Sequence, residues 1–182
     1  KFVDMLFHNG IISVVAHDGT TKRYLQHNQD GSLRANIEIG IAFGGGLIQD
    51  PQSGDLIIGN HSAIMRLNYQ TLTISTPPFS EPLANVSFMH LRGSQLVVTD
   101  SDRGRVFEYD LATGKIVKSY GQSSSISNVV IDLEAADGSL LMLDNQTPRV
   151  LSYTDGKINV LAGSGIQSAA QPGVNAQKAS FS

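Results

Sequence analysis

The chain has 182 residues, of which 41% are hydrophobic and 16% charged, with a formal net charge of -3 and a pI near 5.9. That apolar share is enough for a core and excludes a disordered chain, while 13 Lys and Arg scattered without a run of three exclude a basic face for nucleic acid. Apolar runs such as Leu140-Leu141-Met142-Leu143 stay at four or five residues, far below the roughly 20 of a membrane-spanning helix, and the absence of cysteine removes disulfides and thiolate metal sites.

The chain opens on Lys1-Phe2-Val3-Asp4, with neither an initiator Met nor a charged-then-apolar leader, which reads as a processed or trimmed chain. In chain order, the first set of short extended segments is Phe2 to Phe7, Ile11 to Ala16, Lys22 to Leu25 and Ala35 to Ile39. Gly44-Gly45-Gly46 then leads into a strand and not a helix, so it reads as a crossing between repeats and not as a phosphate-binding loop. A second set runs Gly46 to Gln49, Asp55 to Gly59, Ile64 to Tyr69 and Leu72 to Ser75. A third runs Val86 to Leu91, Leu96 to Asp100, Arg105 to Asp110 and Lys115 to Gly121. The fourth repeats its order with Val129 to Leu133, Leu140 to Asp144, Arg149 to Tyr153 and Lys157 to Leu161.

Leu96 to Leu140, Asp100 to Asp144 and Arg105 to Arg149 are each 44 residues apart, and Leu56 lies 40 before Leu96. Four short strands per 40 to 45 residues, joined by Gly-bearing turns such as Arg92-Gly93-Ser94, predict an all-β fold of four four-stranded antiparallel propeller blades. The expected blades are residues 1–39, 40–83, 84–127 and 128–163, with 164–182 leading into a further blade. Four blades of this kind are expected to be part of a larger ring, completed by at least two more blades of the natural protein or by another chain, because an uncovered blade flank is an aggregation hazard.

The order of an apolar strand ending in Asp, a polar loop, Arg-Val, an aromatic-bearing strand, a Gly turn and a Lys-Ile strand resembles that of NHL-repeat propellers. The link Leu161-Ala162-Gly163-Ser164-Gly165 looks like the Ala-Gly-x-Gly junction of such blades. The resemblance implies a ring used mostly as a protein-binding platform or scaffold, with a few related propellers acting as metal-dependent lactonases or lyases.

Propeller faces gather one loop from every blade, so Ser101, Asp102, Arg103, Asn145, Gln146 and Thr147 are the expected binding loops for a protein partner. Asp100 with Arg105, and Asp144 with Arg149, stand across one hairpin mouth and are expected to form framework ion pairs. The alternative function is a metal-dependent hydrolase or lyase with an axial site, for which Asp50, Asp132 and Glu134 are the carboxylates expected near the channel. His8, His17, His27, His61 and His90 show no metal-ligand spacing, and no serine lies in a Gly-x-Ser-x-Gly context, so neither a cofactor nor a catalytic residue is assigned. Asn60, Asn85 and Asn145 match the N-glycosylation pattern and tilt the expected location to the outside of the cytoplasm.

Overall fold

A computed structural model describes residues 2–41, 45–77, 79–120, 129–135, 137–144, 147–154, 157–168 and 173–180, with backbone alone at 2, 3, 41 and 129–134. The described strands form four antiparallel sheets, each of four strands in sequence order. Blade 1 holds β1 (Phe2–His8), β2 (Ile11–His17), β3 (Thr21–Asn28) and β4 (Leu33–Ile41). Blade 2 holds β5 (Leu47–Gln49), β6 (Leu56–Asn60), β7 (Ala63–Leu67) and β8 (Ile74–Ser75). Blade 3 holds β9 (Val86–Arg92), β10 (Gln95–Asp100), β11 (Arg105–Asp110) and β12 (Ile116–Tyr120). Blade 4 holds β13 (Val129–Glu134), β14 (Leu140–Asp144), β15 (Arg149–Thr154) and β16 (Lys157–Ala162).

The 44-residue offset reappears as identical register. Leu96 faces Tyr109 and Asp100 faces Arg105 in blade 3, while Leu140 faces Tyr153 and Asp144 faces Arg149 in blade 4. Hairpin turns are closed by side chains that accept backbone N–H groups. Asp18 takes those of Thr20 and Thr21, Asn68 those of Gln70 and Thr71, and Asp110 that of Thr113. These are the local bonds that make Asp and Asn turn formers.

Burial separates the middle blades from the outer ones. In β10 Leu96 to Asp100 is buried at every position, and in β6 Leu56 to Gly59 likewise, because both faces of those sheets meet a neighbour. In β2 and β14 burial alternates with period two, so among the described residues one face is covered and the other is not. The core is accordingly split into three seams. Val15, Tyr24 and Ile39 of blade 1 pack on Leu56, Ile58, Met65 and Leu67 of blade 2. Ile57 and Ile64 of blade 2 pack on Val86, Met89, Val98, Phe107 and Tyr109 of blade 3. Val97, Val106 and Tyr120 of blade 3 pack on Leu140, Met142 and Leu151 of blade 4.

Gly45 and Gly46 lie where blade 1 crosses to blade 2, in agreement with the crossing expected for the glycine run, of which Gly44 lies outside the described residues. The Gly45 N–H donates to the Val86 carbonyl at 2.6 Å and the Gly59 N–H to the Gly46 carbonyl at 3.0 Å, so three blades meet at this point. Gly45 has φ of +112°, and a Cβ there would run into the Gly59 carbonyl oxygen. A Cβ on Gly59 would in turn meet the Gly45 backbone at 2.8 Å. Gly45→Ala is therefore expected to cost about 2 to 4 kcal/mol by strain and overpacking together. Gly31→Ala, at φ of +87° with open space around it, carries the dihedral strain alone and costs about 1 kcal/mol. Urea unfolding midpoints of the two variants measure the difference.

Candidate functional site

Successive hairpins alternate between the two ends of each blade, so the connections between blades share one end with the β10–β11 and β14–β15 loops. Ser101, Asp102 and Arg103 form a 3-10 turn there, closed by Gly104 in the left-handed region. Their polar groups are spent on the chain itself. Asn85 donates its side-chain amide to Asp102 at 3.0 Å, the Ser101 N–H goes to the Asn85 carbonyl, and Arg103 donates to the Pro82 carbonyl. Thr147 donates both its N–H and its hydroxyl to Asp144, while Asn145 and Gln146 lie outside the described residues.

The two framework pairs part company. Arg149 donates to the fully buried Asp144 at 2.7 Å, as expected. Burial pushes the Asp144 carboxyl up, but the bonds from Thr147 and Arg149 outweigh it and hold the pKa below the ordinary carboxylate value. Asp100 does not take Arg105. Its two oxygens accept the Ala84 and Asn85 N–H groups at 2.9 and 3.0 Å, with Arg103 at 3.8 Å, and Arg105 instead lies 3.9 Å from Glu81. The connection from blade 2 supplies the donors that the hairpin arginine was expected to supply. Asp100 therefore pins the incoming link to blade 3.

Asp50, expected as a carboxylate near the channel, directly follows β5 at the opposite end of the blade, is buried, and accepts from the Gln52 N–H, the Ser53 hydroxyl and Arg66 at 2.8 to 2.9 Å. The strand positions of Asp132 and Glu134 are described, but their side chains lie outside the described residues. Among the described residues no three His, Asp or Glu side chains are grouped as a metal ion would require, so no step is derived through a metal.

At that opposite end, turns of blades 2 and 3 enclose a cleft of about 520 Å³. Pro77, Leu111 and Ala112 give it an apolar lining, and Arg66, Asp110 and Thr113 add polar groups. Arg66 is already held by Asp50 and Ser53, and Asp110 by Thr113, so these polar groups are fixed in place before any ligand arrives. The cleft is absent from the sequence reading because it arises from turns far apart in the chain and has no motif.

Two buried polar networks cross the outer seams. Between blades 1 and 2, His8 contacts Ser13 through Nε2 at 3.0 Å and Gln49 through Nδ1 at 3.4 Å, and packs edge-on against Tyr69. Ser13 continues to the Tyr24 hydroxyl, and Gln26 donates to that hydroxyl and to the Tyr69 carbonyl. In the same seam Lys22 is wholly buried and donates to the Gly59 carbonyl at 2.8 Å, and burial pushes its pKa down to about 8. Between blades 3 and 4, the buried Glu108 accepts from the Tyr120 hydroxyl and from Arg92, whose other nitrogen reaches the Gly138 carbonyl at 2.8 Å. Burial, with Glu108 beside it, raises the Tyr120 pKa. The signal for these networks in the sequence is a polar residue inside an apolar strand, such as Ser13 in Ile11-Ile12-Ser13-Val14-Val15.

No family model matches the chain, and no curated protein matches it either. Solved structures do. Virginiamycin B lyase from Staphylococcus aureus matches with a TM-score of 0.65 at 15% identity, covering 87% of this chain and 54% of the lyase. A catalytically inactive histidine-to-alanine form of that lyase with quinupristin matches at 0.67 and 14% identity, covering 88% and 55%. The extracellular domain assigned to a hybrid two component system of B. thetaiotaomicron matches at 0.65 and 21% identity, covering 88% and 24%. The chain is thus similar in fold to β-propeller proteins and spans about half the length of the lyases.

Arg149→Ala leaves Asp144 buried without its cation and is expected to lower stability by about 1 to 3 kcal/mol, read from denaturant unfolding. A second expectation concerns acid. Burial lowers the His8 pKa below its ordinary value near 6.5, so the unfolded chain takes up that proton first. The stability contributed by neutral His8 is complete above about pH 6.5 and is lost as the pH falls through the lowered folded value. His8→Gln should flatten the decline in unfolding midpoint between about pH 7 and 5, while the decline at lower pH, where Asp144 and Asp50 protonate, remains.

Proposed function

We propose that the chain is an NHL-like arc of propeller blades that serves as a protein-binding scaffold, with the partner's segment held in the cleft between blades 2 and 3. The observation that carries this is the preset cleft itself, apolar at Pro77, Leu111 and Ala112 and lined by polar groups already fixed within the chain. A partner ordering itself there loses its own entropy but does not have to reorganise the site. The loop end has polar groups already engaged within the chain, those of Ser101 to Arg103 with the link into blade 3 and those of Thr147 with Asp144 of its own hairpin, which favours the cleft over the loops as the contact surface. An extracytoplasmic location accompanies this reading, supported by the extracellular domains of similar fold.

A lyase is the second reading, favoured by the fold likeness to virginiamycin B lyase over 87% of the chain. Incubation with quinupristin, the compound found with the inactive lyase, followed by mass spectrometry, separates it from the first: conversion of quinupristin supports a lyase, and unchanged quinupristin counts against this reading.

The scaffold reading is checked by a photo-crosslinking residue placed at Thr113, on the cleft, or at Asp102, on the loop end, in the protein in its native host. Crosslinks to one protein from Thr113 and none from Asp102 are expected. Crosslinks from Asp102 alone would move the surface to the loops, and none from either position would remove the scaffold reading.

A further inference from the structure

The seams on the two sides of blade 3 are built differently at the end that carries the cleft, and the difference follows from the length of one hairpin. Between blades 3 and 4 the β13–β14 connection runs over residues 135–139. Its Gly138 carbonyl accepts from Nη2 of Arg92 at 2.8 Å, while Nη1 of the same guanidinium holds Glu108 at 2.9 Å. Between blades 2 and 3 the β9–β10 connection is only Gly93 and Ser94. The ion pair at the same place in blade 2, Arg66 with Asp50 at 2.9 Å, has no such hairpin to reach. Nη1 of Arg66 serves Asp50 and Ser53, whereas Nε and Nη2 have no partner among the described residues, although the side chain is only 23% exposed. The cleft thus corresponds to the space that the longer hairpin takes up at the next seam.

Three features of the cleft define what fits it. Pro77, Leu111 and Ala112 make an apolar wall. The charge is negative: Asp50 offsets Arg66, Asp110 lines the cleft as well, and Asp55 stands behind it with one oxygen on Asn68 and the other 3.6 Å from Arg66. Asp110 spends one oxygen on the Thr113 N–H and hydroxyl, and its other oxygen has no partner among the described residues. Lys115 follows this turn but is exposed and lies outside the lining. The third feature is the pair of unengaged Arg66 donors, for which the next seam supplies the model of a partner, since Arg92 in the same setting takes a main-chain carbonyl. A carbonyl for the guanidinium and a cation for the carboxylate are the complements of these groups.

We propose that the segment seated in the cleft is an extended basic peptide, which gives a main-chain carbonyl to Nη2 of Arg66, an apolar side chain to the wall of Pro77, Leu111 and Ala112, and a neighbouring lysine or arginine to Asp110. The proposal rests on the reading of the cleft as a protein-binding site and adds the chemistry of the bound segment. The carbonyl and apolar contacts hold the peptide, and the charge selects it: an acidic segment meets Asp110 and Asp55 without compensation and is turned away.

The test is selection of random heptapeptides displayed on phage against the whole chain, followed by fluorescence anisotropy of the most enriched peptide. Enriched peptides are expected to carry Lys or Arg beside an apolar residue. Asp110→Asn keeps an acceptor for Thr113 but removes the charge, and should weaken binding roughly 3- to 5-fold, the scale of a partly exposed ion pair. Arg66→Lys keeps the charge beside Asp50 but removes the second donor, and should weaken binding by a similar factor. Asp137→Asn takes the same charge from a turn outside the cleft and should leave binding unchanged. Far-ultraviolet circular dichroism of each variant establishes that it remains folded. Enrichment of acidic peptides, no enrichment at all, or equal weakening by Asp137→Asn and Asp110→Asn overturns the proposal. Crosslinking from Thr113 separates that failure from failure of the cleft reading: a crosslinked partner segment without a basic residue overturns only the chemistry assigned here, whereas absence of crosslinks from Thr113 removes the cleft reading and this proposal together.

Discussion

A four-stranded sheet with apolar side chains on both faces has to be covered on both faces, and this constraint organises the molecule. The residues of β6 and β10 are buried almost without interruption because each sheet stands between two others, while β2 and β14 alternate because each has one neighbouring sheet among the described residues. Stability in such a stack is close to a sum of blade and seam contributions, so no blade is independent of the next. The close approach of Gly45 to Gly59 belongs to the same constraint: without it the link from blade 1 would hold the blades too far apart for the seams to interdigitate.

The three seams differ in chemistry. The middle one, between blades 2 and 3, has a core of aliphatic and aromatic residues centred on Ile57, Val98 and Phe107. The outer two add polar networks, His8 with Ser13, Tyr24 and Gln26 on one side, Arg92 with Glu108 and Tyr120 on the other. Polar groups buried in this way add little net stability but penalise any other register strongly, because a slipped strand would leave them unpaired. Acid acts on the first seam before the others, since its imidazole has to stay neutral to remain buried.

The strands were legible because the repeat spacing and the apolar runs agree, and each expected segment has its strand. The Asp and Arg pairs were legible only in part. Asp144 and Arg149 meet, but in the same sequence context Asp100 turns to the Ala84 and Asn85 amides, donors brought by a link whose path the repeat does not encode. Register also places Arg92 and Glu108 where blade 2 has Asp50 and Arg66, the same ion pair with its charges exchanged. Aligning the repeats by residue identity hides such a pair, since neither position keeps its residue. The cleft was invisible for a different reason: Pro77 and the Asp110–Gly114 turn are neighbours only in the folded chain.

Covered and uncovered flanks imply a gradient of local stability along the stack. Native-state hydrogen exchange on dilute chain measures it strand by strand. Amides of β6 and β10 should exchange slowest, near the rate set by global unfolding, with β2 and β14 opening at lower free energy. Protection of β2 and β14 equal to or above that of β6 and β10, in chain dilute enough to be monomeric, would contradict the claim that coverage by neighbouring blades sets the stability of this fold.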